Sequence, residues 1–186
     1  MPMKYLAYFG VISLVLLILY FFLTYNKLVV LGNKVKYQRS MIDVELKRRF
    51  DLIPNLVEVV KGYAKHESDT LNDVVKARNT YFEASGITAQ LKADGMLDKA
   101  LSRLFVITEQ YPDLKADSSF LSLQKTLAEI ESKVLFARHF CNDAIYKYDT
   151  KIEVFPSNLV AKIFGFTKET YFVAGEEERE SIKVSF

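Results

Sequence analysis

The polar residues that could act together in this sequence are Asp43, Arg48, Arg49, Asp51, Arg78, Glu131, Arg138 and Asn142. Arginines set among carboxylates match charge and donate paired hydrogen bonds; they do not by themselves cleave bonds. Glu131 and Arg138 stand seven residues apart, which puts them on one helix face beside Val134. A polar network inside a helical bundle selects one helix register over its alternatives. The expected pairing is Glu131 or Arg138 with Arg49, Arg78 or Asp43. Two other readings stay open: ordinary surface ion pairs, each contributing roughly 0–1 kcal/mol, and a partner-binding patch.

Catalytic or metal chemistry finds little to work with. His66 and His139 are the only two histidines and Cys141 the only cysteine. There is no HExxH, no CxxC and no glycine-rich phosphate loop. His66 and Glu67 follow Lys65 on a polar stretch and read as a solvated pair. His139 and Cys141 are two apart on a helix, so they face different ways. One cysteine excludes an internal disulfide, and its apolar helical setting reads as a small buried hydrophobe. The expectation is no catalytic residue, no cofactor and no metal site. The net charge of +2 is too balanced to argue for nucleic acid. Lys47–Arg49 could attract anionic lipid, but it lies about 20 residues beyond the apolar segment, some 30 Å along a helix and past a Debye length.

Helices must position these groups. Half the residues are hydrophobic, with only 7 Gly and 4 Pro. The densest charge, Asp43 to Asp51, precedes the stripe Ile53, Leu56, Val57, Val60 and Ala64, spaced as one helix face. Phe50-Asp51-Leu52-Ile53-Pro54 predicts a turn, with Asp51 capping a second helix that runs to about Ser85. One long helix kinked at Pro54 is the alternative. Ser85-Gly86 and Ala93-Asp94-Gly95 predict a loop. A third helix, about Met96 to Glu109, buries Leu97, Leu101, Leu104 and Phe105, and Tyr111-Pro112 ends it. The fourth, about Ser118 to Ile152, carries the stripe Phe120, Leu123, Leu127, Ile130, Val134, Ala137, Cys141, Ala144, Ile145 and Tyr148. The fold class is therefore all-α: an N-terminal transmembrane helix continuing into an antiparallel up-and-down four-helix bundle.

After Phe155-Pro156, Ser157 can cap a short helix from Asn158 to Phe164 that stops at Gly165. Leu159, Val160, Ile163, Phe164 and Phe166 make it strongly apolar. It either packs as a lid on the bundle end or lies on the membrane surface. Residues 173–186 read as an acidic tail, with Gly175–Glu180 lacking apolar content. Its last five residues, Ile182 to Phe186, are either a loose end or a short recognition segment.

Residues 5–26 contain no charge and would span roughly 30 Å as a helix, the hydrocarbon thickness of a bilayer. Leu23 to Asn26 offers no small-residue cleavage site, so a retained anchor is expected rather than a signal peptide. Lys27, Lys34, Lys36 and Arg39 follow the span closely and only Lys4 precedes it. The positive-inside rule then expects a single-pass protein of the cell (inner) membrane. Residues 1–4 would lie outside and residues 27–172 would form the cytoplasmic domain.

The segments Tyr25-Asn26, Leu28-Val29, Ile42 to Glu67 (IDVELKRRFDLIPNLVEVVKGYAKHE), Ala77-Arg78, Tyr111 to Ala116, FPSNL and FGF resemble the LemA family of bacterial membrane-anchored helical proteins. The likeness covers nearly the whole chain. It implies the same anchored bundle. It also implies a non-enzymatic scaffold or interaction module, self-assembling and membrane-organising, because some relatives are associated with membrane organelles. An accessory subunit of a membrane metalloprotease or envelope stress system is the alternative, and a hydrolase a remote one. The implied partners are the lipid bilayer and either the protein itself or another membrane protein. Three positions depart from the family pattern. Tyr37-Gln38 stands where Ala-Trp is common, Asp149 follows Tyr148 in place of Asn, and Gly32 occupies a position often held by Arg.

Overall fold

The computed structural model describes residues 2–173; of the acidic tail and apolar end predicted for residues 173–186, all but Val173 lie outside that range. Six helices and no strand occur among the described residues. They are α1 (Pro2–Tyr63), α2 (Ser68–Glu83), α3 (Ile87–Thr108), α4 (Pro112–Lys115), α5 (Ser118–Glu153) and α6 (Ser157–Ile163). The chain divides into two compact units, one built on the residues up to Ser40 with Ala137–Phe172, the other on Met41–Phe136.

The predicted turn at Pro54 is not there. α1 runs 62 residues without a break, with Pro54 inside it. Proline has no N–H to give the carbonyl one turn back, here that of Phe50. Arg78 supplies the missing donor: its Nε bonds the Phe50 oxygen at 3.1 Å. The break comes instead at Ala64–Glu67, where the apolar stripe gives out and six polar residues, Lys65 to Thr70, follow. A helix with no face left to bury loses most of what holds it together.

In the second unit the stripe is seated as its spacing requires. Val57 of α1 is half-buried, while Ile42, Leu46, Phe50, Ile53, Leu56 and Val60 are buried, as is Ala64 just after the helix. So are Leu71, Val74, Ala77 and Tyr81 of α2, Leu97, Leu101 and Leu104 of α3, and Phe120, Leu127, Ile130 and Val134 of α5. Phe50 lies against the rings of Tyr81 and Phe82, with centroids 4.2 and 5.3 Å away. The loop predicted at Ala93-Asp94-Gly95 is helical. Ala93 and Asp94 are both buried, and that packing outweighs the roughly 1 kcal/mol by which glycine disfavours a helix. Asp117 begins α5 by accepting the N–H groups of Ser119 and Phe120, each at 2.9 Å.

The first unit packs α1 residues up to Ser40 with the C-terminal half of α5 and with α6. Leu28, Val35, Cys141, Ala144, Ile145 and Tyr148 are buried in it. Gly32 lies against Tyr148: a Cβ there would meet the ring at 3.5 Å, an ordinary van der Waals contact. Ser157 does not cap α6. Its hydroxyl donates to the carbonyls of Lys151 and Val154, so it closes the end of α5 instead. α6 stops before Gly165, whose φ of 71° lets the Phe166 N–H reach back to the Ala161 carbonyl at 3.0 Å.

Candidate functional site

The most concentrated polar chemistry among the described residues is a charged junction in the second unit, centred on Arg49. α1 places its guanidinium in the interior, 5% exposed. Nη1 meets Asp94 Oδ1 at 3.1 Å and Glu131 Oε2 at 3.0 Å, and Nη2 bonds Asp98. Asp94 and Asp98 are four apart on α3 and so share a face, while Glu131 comes from α5. One planar cation thus ties three helices together. Burial pulls the Arg49 pKa down, but the charges of Asp98, Glu131 and Asp94 outweigh it and hold the guanidinium above its ordinary range. The junction is permanently charged. The three carboxylates converge on a cation that the chain itself supplies, and among the described residues no group of three or more His, Cys, Asp or Glu side chains is disposed to hold a metal ion.

The other residues singled out by the sequence go elsewhere. Arg48 pairs with Glu45, and Lys47 with Asp51, each within one turn of α1. Asp43 is exposed on the same helix. Arg78 serves the Phe50 carbonyl and lies over the Phe82 ring at 5.1 Å. It also borders an open groove of about 390 Å³ with Ile53, Pro54, Val57, Glu58, Lys61 and Val75. Arg138 and Asn142 belong to the first unit. There Asn142 clamps the backbone of Phe172: Nδ2 donates to its carbonyl at 2.7 Å and Oδ1 accepts its N–H at 2.9 Å. Arg39 Nη1 meets Glu169 Oε2 at 2.8 Å, and Asp149 accepts the Glu169 N–H at 3.1 Å. The segment after α6 is therefore strapped down by three side chains.

Sequence reasoning missed Asp94 and Asp98, because Asp94-Gly95 reads locally as a turn. Their i, i+4 spacing opposite a central arginine was the available signal. It also missed Asp117, although an aspartate directly before two serines and an apolar stripe is a helix-start pattern. His66 and His139 are exposed. Cys141 is fully buried, and burial pushes its thiol up, away from the reactive thiolate. Of the apolar residues of α6, Val160 is buried, Leu159, Ile163 and Phe164 are exposed, and Phe166 is intermediate. Phe164 and Phe166 meet the Tyr25 ring at 4.7 and 5.8 Å.

Comparison with known proteins gives a consistent set of relatives. Residues 38–186 match the sequence model of the LemA family. Magnetosome protein MamQ of Magnetospirillum gryphiswaldense is 27% identical over 197 residues, covering 92% of this chain and 72% of the relative. Magnetosome protein MamQ 1 of Paramagnetospirillum magneticum gives the same identity and coverage. Protein LemA of Metamycoplasma hominis is 25% identical over 186 residues, covering 96% of this chain and 84% of the relative.

Proposed function

The chain belongs to the LemA family, and from that membership we propose that it is a single-pass, membrane-anchored scaffold or interaction protein that acts without catalysis and assembles with copies of itself. The observation that carries the reading is the N-terminal part of α1. It is long and apolar enough to cross a membrane, and from Tyr5 to Leu19 every residue of it is exposed. Leu6 and Phe9 are 75% and 73% exposed. Such a surface is stable only in an apolar solvent, and a bilayer is one. Lys27, Lys34, Lys36 and Arg39 favour the cytoplasmic side of the inner membrane for the domain that follows.

The second unit draws on long segments of α1, α2, α3 and α5, the complement of an antiparallel up-and-down four-helix bundle, and that arrangement is part of the proposal. The permanently charged Arg49, paired through Nη1 and Nη2 with three carboxylates, suits a structural tie better than a reacting centre. The MamQ relatives are named as magnetosome proteins, which supports a membrane-organising role here.

Crosslinking in native membranes, followed by sizing in detergent and mass spectrometry of the adducts, tests the reading. A ladder of self-multiples is expected. A single heterologous adduct would overturn self-assembly in favour of an accessory subunit, and a membrane protease in that adduct would identify the complex.

A further inference from the structure

The first unit meets α1 inside its apolar run, not beyond it. From Tyr5 to Leu19 every residue of α1 is exposed. Cover then begins: Tyr20 and Phe21 are partly buried, Thr24 is 4% exposed and Leu28 is fully buried. The first charge after the run is Lys27. The protein thus overlaps the last two turns of the uncharged stretch, roughly 10 Å of helix at 1.5 Å per residue. Tyr25, at the end of that stretch, is where an interfacial aromatic belongs. The rings that meet it, Phe164 and Phe166, come from the residues just after α6.

We propose that α6 and the turn before it form a second membrane contact, a foot whose exposed apolar side chains enter the headgroup–acyl boundary of the bilayer that α1 spans. The inference rests on the membrane-anchored reading above. Val160 and Ala161 hold one face of α6 in the first unit. The other face presents Leu159 at 51% and Ile163 at 66% exposure, with Phe155 at 79% on the preceding turn. Water is an unfavourable solvent for so much contiguous apolar surface, while the boundary layer of a bilayer accepts it. The Tyr25–Phe164 contact fixes the depth, since it sets α6 level with the end of the span. Lys162 and Lys27 are exposed beside it, where ammonium groups can reach lipid phosphates. Lys168 is held by Glu153 instead.

The chain contains no tryptophan, so a single introduced one reports from one place. The full-length Ile163→Trp protein is reconstituted in phosphatidylcholine–phosphatidylglycerol vesicles containing lipids brominated high in the acyl chain. The expected result is loss of emission to the brominated lipid and resistance to aqueous iodide. Leu159→Trp, one turn earlier, repeats the measurement should the first variant fail to fold. Quenching by iodide and not by lipid overturns the foot. Resistance to both quenchers also overturns it and assigns the patch to a second copy or another protein. Ile12→Trp, with lipids brominated near the chain end, reads the anchor separately. If that reporter is not quenched, the anchored reading itself has failed.

Discussion

At the scale of single residues, two arginines do different work. Arg49 neutralises carboxylates that the fold has already taken out of water. Removing it takes a buried cation away from Asp94, itself only 3% exposed. Arg49→Leu is therefore expected to destabilise the detergent-solubilised chain by about 3–5 kcal/mol in chemical unfolding followed by circular dichroism. A loss below about 1 kcal/mol would reduce the junction to a surface ion pair. The sign of its pH dependence is also set. With the folded pKa raised, Arg49's contribution is intact throughout ordinary pH and is lost only as pH rises through that raised value, beyond the ordinary arginine range. Arg78 is a donor to the backbone. Arg78→Met should destabilise by about 1.5–3 kcal/mol, the range for a hydrogen bond to a charged group. In a Pro54→Ala background residue 54 regains an N–H for the Phe50 carbonyl, so the same substitution should matter less. A double-mutant cycle that closes with no coupling would mean that Arg78 acts only through its contact with Phe82.

The helix starts and stops give the lesson at the scale of elements. The fourth predicted helix, Ser118 to Ile152, is observed as Ser118–Glu153 because a long unbroken stripe leaves little choice of period or register. The stop of α6 at Gly165 was equally legible. Pro54 and Asp94-Gly95 were not, because each is a local signal overridden by a partner distant in the chain. Arg78 answers Pro54, and Arg49 answers Asp94. The charged junction was half legible: Arg49 and Glu131 could be singled out, whereas Asp94, and with it the i, i+4 pair it makes with Asp98, waited on knowing that α3 starts at Ile87. Asp117 supplies a test at this scale. The Phe120 N–H, the Tyr63 hydroxyl and the Ser119 N–H hold its carboxyl below its usual range. A depressed folded pKa gives stability that is present above the unfolded value and lost as pH falls through the folded one. Asp117→Ala should melt lower than wild type at neutral pH, and the gap should close below about pH 4. Thermal melts across that range decide it; a gap that persists unchanged in acid would remove the carboxylate from the account.

For the whole molecule, the exposed apolar length of α1 sets the terms. A protein with this surface has to be read with its bilayer, and the basic residues after it predict which way it faces. Protease added outside spheroplasts should leave the domain after residue 26 intact and cut it only once the membrane is opened. Digestion from outside would reverse the topology without touching the helical fold. Two of the departures from the family pattern fall in a tolerant setting. A side chain at Gly32 would start with only an ordinary contact to the Tyr148 ring, and Asp149 accepts the Glu169 N–H with one carboxylate oxygen, as an amide oxygen could.

The bond from Arg78 to the Phe50 carbonyl also constrains how such a chain can change over generations. Arg78 can be exchanged at little loss only after Pro54 has gone, whereas Pro54 can be exchanged first with Arg78 still in place. Two single steps that look equivalent on paper are therefore passable in one order and obstructed in the other. A proline inside a helix acts as a ratchet on a residue 24 positions away.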